Sequence, residues 1–232
     1  MVDTKELIHQ RYTGDRGKEY HTAIHSNDPY VQQVVARQRL HKFQPFVKSD
    51  DTVLEFGVGM GWNLRYLNCQ RRVGYDVSDI GYEICKDAGI EFTTDLASLS
   101  RGQFSLVICH HVLEHVPDPV GVLEQIWGLL APEGRLILCV PFESHYRFRH
   151  FSPGDPNRHL FSWNILTLGN LVTSVNFSVD SAKIIPSGYE QRLAFLARYG
   201  FPLYHLGLAM LRRLMPVEEI FLVALKNESP KR

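Results

Sequence analysis

The chain has 232 residues, 44% of them hydrophobic, enough for one substantial core. A formal net charge of +0 and a pI of about 7.2 give no global electrostatic case for a nucleic-acid partner. No run reaches the roughly 18 uninterrupted apolar residues of a membrane span, and the N-terminal MVDTKELIHQRY lacks the apolar stretch of a signal peptide.

Residues 1–48 read as an N-terminal cap, polar and irregular to about residue 28. A helix then follows, with Asp28 as N-cap and Pro29 in its first turn, carrying Val31, Val34, Val35 and Leu40. From there short apolar strands alternate with helices. A strand at 53–56 leads to a helix from about Trp62 to Leu67. A strand at 73–77 leads to a helix capped by Ser78 or Asp79 and stopped near Gly89. A strand at 90–93 leaves through Asp95. The strand at 104–109 feeds a helix from Pro119 to about 130, with Asp118 as its cap. Pro132-Glu133-Gly134 is expected to turn the chain into a strand at 135–140, and Ser162 to open the next helix. Strands at 177–184 and Glu219 to Leu225 complete the series. Apolar strands of this length, joined by helices, imply one parallel sheet covered on both faces.

Two segments interrupt the alternation. Phe142 to Arg158 is aromatic and basic, with Pro153, Gly154 and Pro156 close together. Residues 187–216 read as two amphipathic helices, a lid or an extra packing layer, with Arg198, Arg212 and Arg213 available for peripheral membrane contact. The four cysteines (Cys69, Cys85, Cys109 and Cys139) contain no C-x-x-C pair and are expected to be buried and reduced in a cytoplasmic chain.

The most informative stretch is Val53 to Gly61, VLEFGVGMG. Its apolar strand ends in an acid and is followed by Gly57, Gly59 and Gly61. Glycine permits the sharp turn and the close backbone approach that an α/β ligand cradle requires. A second acid, Asp76, ends the next strand in VGYDV. Two carboxylate oxygens suit the two hydroxyls of a ribose.

The order of these motifs resembles the class I S-adenosylmethionine-dependent methyltransferases over about residues 50–185. The resemblance implies a Rossmann-like, doubly wound α/β fold: a mostly parallel sheet with an antiparallel last strand and helices on both faces. It would form one domain, 1–232, with a cofactor-binding core at 50–185, the helical insert at 187–216 and the last strand at 217–226. The implied cofactor is S-adenosylmethionine. Gly57, Gly59 and Gly61 would border its methionine part, Glu55 would lie near its amino group and Asp76 would hold the ribose. Val77 would lie on the adenine ring, and Asp95 with Leu96 near the adenine amino group. Cys109 and His110 would sit beside the methionine. A nicotinamide dinucleotide is the nearest competitor, but its fingerprint places the third glycine one residue later than Gly61.

CHHVLEHVPDP is similar to a segment of the ubiquinone-biosynthesis O-methyltransferases, matching at Leu113, Glu114, His115, Val116, Pro117 and Asp118. It departs at His111, where that subgroup often has an acid. In those relatives the acid, the Glu and the His are linked to a divalent ion, at positions matching His111, Glu114 and His115 here. No metal ligand is assigned from this chain. His111-x-x-Glu114-His115 also spells a zinc-protease string, which requires a helix. Pro117 and the strand before it point instead to a strand end and loop.

Among candidate catalytic bases His111 ranks first and His159, in DPNRHLFSWN, second, because imidazole takes a hydroxyl proton near neutral pH. Tyr12, Tyr20 and His21 are candidates to close over the cofactor. The expected activity is methyl transfer to an oxygen or nitrogen of a small-molecule acceptor, such as a quinone, lipid or sugar precursor. Neutral charge argues against tRNA or DNA, although Arg147, Arg149 and Arg158 form a local basic patch suited equally to phosphate or carboxylate. Two alternatives stay open: a non-catalytic cofactor-binding protein, whose cleft Tyr146, Phe148 or Trp163 would fill, and a metal-dependent hydrolase. Oligomeric state is left open.

Overall fold

The structure, a computed structural model, describes residues 12–14, 17, 26–143, 150–151, 155 and 157–227. Seven strands form one sheet: β1 (Thr52–Phe56), β2 (Arg71–Tyr75), β3 (Glu91–Thr93), β4 (Phe104–His110), β5 (Leu130–Pro141), β6 (Phe177–Pro186) and β7 (Glu218–Lys226). Their order is β3-β2-β1-β4-β5-β7-β6. The first five run parallel, and β7 lies antiparallel between β5 and β6. The expected α/β sheet with an antiparallel last strand is therefore present.

Both faces of the sheet are covered, so its strands carry apolar residues on both sides. On one face Leu54, Phe56, Val107, Leu136 and Leu138 pack under α3 (Pro119–Leu129) and α4 (Ile165–Ser174), through Leu123, Ile126, Leu168 and Val172. On the other, Val53, Leu106, Ile108, Ile137 and Phe221 meet Phe43 of α1 (Pro29–Phe43), Leu64 and Cys85 of α2 (Tyr82–Asp87). Asp28 caps α1 by accepting the Tyr30 N–H at 2.8 Å, and Asp118 caps α3 by accepting the Gly121 N–H at 2.9 Å, as expected.

Several local expectations are corrected. Residues 62–67 form successive turns, not a helix. Trp62, Asn63, Leu64 and Leu67 are all buried, so the segment must bury side chains all round instead of along one stripe. The N-cap of α2 is Gly81, not Ser78 or Asp79. Ser78 is occupied one turn earlier, its N–H bonded to Asp76 Oδ1 at 3.0 Å, and a Cβ at Gly81 would run into the Gly59 carbonyl. The helix thus docks directly on the glycine turn. Pro132-Glu133-Gly134 is a bulge within β5, where pairing jumps from Phe104–Leu130 to Leu106–Arg135 and Glu133 takes φ 58°. α4 is capped by Asn164 in a capping box with Thr167, not by Ser162. The insert contains a 3-10 helix, Ala194–Tyr199, and one α-helix, α5 (Phe201–Leu214). Cys69 is half-buried, while the other three cysteines are buried; all four are free. Most of the first insert, including Arg147, Arg149, Pro153, Gly154 and Pro156, lies outside the described residues, as do Tyr20 and His21. Among the described residues no helix is long and apolar enough to cross a membrane.

Candidate active site

A cleft of about 1300 Å³ opens at the carboxyl ends of β1, β2 and β4. Its volume exceeds the roughly 300–1,000 Å³ of a typical small-molecule site. Its first wall is built largely of backbone. Leaving β1, the chain turns at Gly57 (φ 82°), whose N–H bonds the Tyr75 carbonyl at 2.8 Å. A Cβ on Gly57 would strike Val112 Cγ2, whereas one on Gly59 would meet nothing within 4 Å. Gly57 is thus required by space as well as by φ, and Gly59 leaves its surroundings open. Asp76 ties the turn down: Oδ2 accepts the Gly59 N–H at 2.8 Å and Oδ1 the Ser78 N–H.

Glu55 ends β1 at the cleft floor, 1% exposed. Its Oε1 accepts a bond from the Asn63 amide, and its Oε2 is buried with no partner. Burial pushes its carboxyl up to about 8, opposed by the Asn63 bond and the Arg39 charge and reinforced by Asp76.

The second wall is made of side chains from three distant elements. β4 ends at His110, and His111 leaves it with φ 57°, a left-handed conformation that costs an imidazole-bearing residue strain. That turn brings His111 Nε2 to 2.9 Å from Glu219 Oε2 at the start of β7. Glu219 is 2% exposed, and its Oε1 accepts from Lys42 Nζ of α1 at 2.5 Å. Burial alone would raise the Glu219 carboxyl. The Lys42 ammonium first, then the bond from His111, outweigh burial and hold it well below the usual carboxylate range. Arg39 places Nη1 2.6 Å from His110 Nε2, so that ring nitrogen accepts. Burial, then the Lys42 and Arg39 charges, keeps His110 neutral, well below the ordinary histidine value. His111 is also lowered, by burial first, with Glu219 opposing. The bonding pattern assigns the His111 proton to Nε2 and leaves Nδ1 as an acceptor.

Deeper along this wall lies a second group. Glu114 is 1% exposed and neither carboxylate oxygen has a hydrogen-bond partner; burial pushes it up to about 8. His111 Nδ1 stands 3.5 Å from Glu114 Oε1 and His115 Nε2 3.9 Å from it. His115 Nδ1 is 3.0 Å from the Tyr12 hydroxyl, and His159 Nδ1 is 2.6 Å from Glu143 Oε1. Among the described residues two triads have donor atoms close enough to hold an ion, His110–His111–Glu219 and Glu114–His115–His159. The H-x-x-E-H string itself lies on a strand end and turn, so it lacks the helical face that a zinc-protease site needs.

Of the residues singled out from sequence, Glu55, Gly57, Gly59, Asp76, Val77, His110, His111 and His159 line the cleft, as does Tyr12. Gly61 does not. It packs below the turn, where a Cβ would lie 2.9 Å from both Cys85 Sγ and Ile90 Cδ1. Cys109 is fully buried in the sheet. Asp95 caps the 3-10 helix Leu96–Ser98, accepting the Ala97 N–H at 2.9 Å, and Leu96 packs against the core. Trp163 stacks on Phe161, centroids 5.6 Å apart, and leaves the cleft free; Tyr146 and Phe148 lie outside the described residues. Sequence reading missed Arg39, Lys42, Asn63 and Glu219. A usable signal existed for two elements. Arg39 and Lys42 are three apart on a helix that also buries Val35 and Phe43, and Glu219 is an acid opening the otherwise apolar IFLVAL strand.

The family model described as a methyltransferase domain matches residues 30–182. The ubiquinone biosynthesis O-methyltransferase of Xanthomonas axonopodis pv. citri is 40% identical over 52 residues, 22% of this chain and 22% of that protein. The chain thus spans about a fifth of the length of such curated relatives in the matched region. Among solved structures, the Burkholderia thailandensis 1,6-didemethyltoxoflavin-N1-methyltransferase superposes with TM-score 0.65 at 17% identity, covering 98% of this chain and 92% of that one. The Haemonchus contortus phosphoethanolamine N-methyltransferase 2, solved with S-adenosyl-L-methionine, gives TM-score 0.65 at 17% identity over 98% of this chain and 61% of that one. Sheet order, glycine turn and family match agree: the chain belongs to the methyltransferase-domain family, with the fold of the class I S-adenosylmethionine-dependent enzymes.

Proposed function

We propose that the protein transfers the methyl group of S-adenosylmethionine to an oxygen or nitrogen of a small-molecule acceptor, and that a hydroxyl is the group it deprotonates. The observation that carries this reading is one cleft holding two different kinds of wall. The first offers an unpartnered buried carboxylate oxygen on Glu55, an open Gly59 and the Asp76 carboxylate. These suit an ammonium, a close-lying sulfonium-bearing chain and a vicinal diol in turn. When bound, the cofactor would supply an electrophilic methyl on a sulfonium whose sulfur keeps the C–S bonding pair and becomes a neutral thioether. The second wall would receive the acceptor. His111 Nδ1 takes the hydroxyl proton as the new bond to carbon forms, and the buried Glu219 carboxylate stabilises the resulting imidazolium through Nε2. Lys42 keeps Glu219 ionised at neutral pH. The cleft volume leaves room for acceptor beside cofactor, which disfavours a purely cofactor-binding role.

The test is calorimetric titration of S-adenosylmethionine and S-adenosylhomocysteine into wild type and Asp76→Ala. Micromolar binding that weakens about a hundredfold in the variant supports the reading, since two charge-assisted bonds are lost. Wild type that binds neither compound overturns it.

A further inference from the structure

α5 is apolar on two sides. Tyr204 and Leu208 face inward and are buried. Leu203, Leu206, Met210 and Leu214 are 43%, 56%, 58% and 77% exposed, with Met215 just beyond at 53%. Their spacing of three, four and four residues puts the four on one stripe about 80° wide and about 16 Å long. An apolar stripe of this kind on a surface helix marks a contact.

Two observations say what covers it. From Gln191 to Val217 the chain carries Arg192, Arg198, Arg212 and Arg213 and no carboxylate. Arg212 is spent on Glu190 and the Gly188 carbonyl and the exposed Arg198 lies over the Tyr30 ring, 5.0 Å from its centroid, while Arg192 and Arg213 are exposed. An apolar stripe with a basic flank complements an anionic lipid surface. The stripe also runs into the cleft, because Leu214 and Met215 are both outward-facing and cleft-lining. A protein packed there would cover the mouth of the cleft, whereas a bilayer would present an acceptor to it.

We propose that α5 seats this protein on an anionic bilayer surface, apolar stripe inward, so that the cleft opens at the lipid headgroups. What enters the cleft, and the preference for a surface that presents an acceptor, rest on the methyl-transfer reading; the contact argued from the apolar stripe and its arginines does not.

The experiment is sedimentation of the full chain with vesicles of phosphatidylcholine alone or mixed with phosphatidylglycerol. Wild type is expected to partition at least tenfold more onto the anionic vesicles, with salt weakening the binding. Leu206→Glu combined with Met210→Glu changes only exposed positions and is expected to abolish binding, and Arg213→Glu to reduce the anionic preference. Circular dichroism of the same samples shows whether the variants are folded, and S-adenosylhomocysteine titration shows whether they bind that compound. The titration also separates the two readings, since vesicle binding without cofactor binding would sink the methyl-transfer reading and keep this one. The surface proposal is overturned if wild type ignores both vesicles or the double variant still binds. Light scattering that reveals a dimer dissolved by the double variant also overturns it, because the stripe is then an interface between copies.

Discussion

The wall that holds Glu55, the glycine turn and Asp76 draws on one stretch of chain, residues 53–77. The adjoining wall gathers Arg39 and Lys42 from α1, His111 from the end of β4 and Glu219 from β7. The first wall works through backbone shape: turns that only glycine takes, and one carboxylate that ties them. The second works through side-chain charge, with one buried carboxylate shared between an ammonium and an imidazole 2.9 Å away. A wall of backbone tolerates little change in shape and meets remote chain at few points, Val112 against Gly57 and Arg39 beside Asn63. A wall of side chains depends on the register of the whole sheet. Substitutions should therefore separate the two walls, one losing binding and the other turnover.

The largest effect is expected at Gly57. Its φ of 82° and the overlap of any Cβ with Val112 mean that Gly57→Ala must displace the β4 turn as well as strain its own backbone. S-adenosylhomocysteine affinity should fall at least a hundredfold by calorimetry. Gly59→Ala, with nothing within 4 Å, carries only the backbone cost of φ 49°, about 1 kcal/mol, and should lose no more than roughly tenfold. Equal losses at the two positions would show that space is not what sets the turn.

That contrast also explains what the sequence disclosed. The first wall was legible because glycine at alternate positions after an apolar strand has few other uses, and because all its parts lie within a short stretch. The sheet was legible for a similar reason: the inner strands β1, β4, β5 and β7 each hold a near-continuous apolar run. The second wall was visible only at His111. Arg39 and Lys42 look like the solvated face of a helix, and Glu219 looks like the polar start of a strand, until the antiparallel insertion of β7 beside β5 brings them together. The errors at 62–67 and at Pro132–Gly134 share one cause. Local signals there were overridden by burial on several sides and by the pairing of β4 with β5.

The next effect in size belongs to the second wall. His111→Ala should lower kcat by about a hundredfold for a hydroxyl acceptor while leaving S-adenosylhomocysteine affinity within a few-fold. Glu219→Gln should lower kcat less, about tenfold. It should also move the acidic limb of the pH–rate profile to higher pH if the lost charge is offset by a closer solvent approach, or to lower pH if the imidazolium simply loses its counter-ion. Rate profiles of wild type and variant separate these outcomes, and the counter-ion role predicts the shift to lower pH. A profile that does not move would remove Glu219 from the proton transfer and leave it a purely structural partner of Lys42.

The smallest effect, and the one that joins the walls, is a proton. Burial holds the Glu55 carboxyl protonated to about pH 8 in the folded chain, while an unfolded glutamate ionises near 4.5. Between those values the folded state binds more protons than the unfolded one. The contribution of Glu55 to stability is therefore full below about pH 4.5 and is lost as pH rises toward 8. An ammonium arriving at the orphaned Oε2 reverses the balance by favouring the carboxylate, so the proton must leave. Titration of S-adenosylhomocysteine at pH 7 in buffers of different ionisation enthalpy should show wild type releasing roughly one proton more than Glu55→Gln. Identical buffer dependence in the two proteins would mean that Glu55 does not meet the ammonium. The first wall would then hold its ligand through the turn and Asp76 alone.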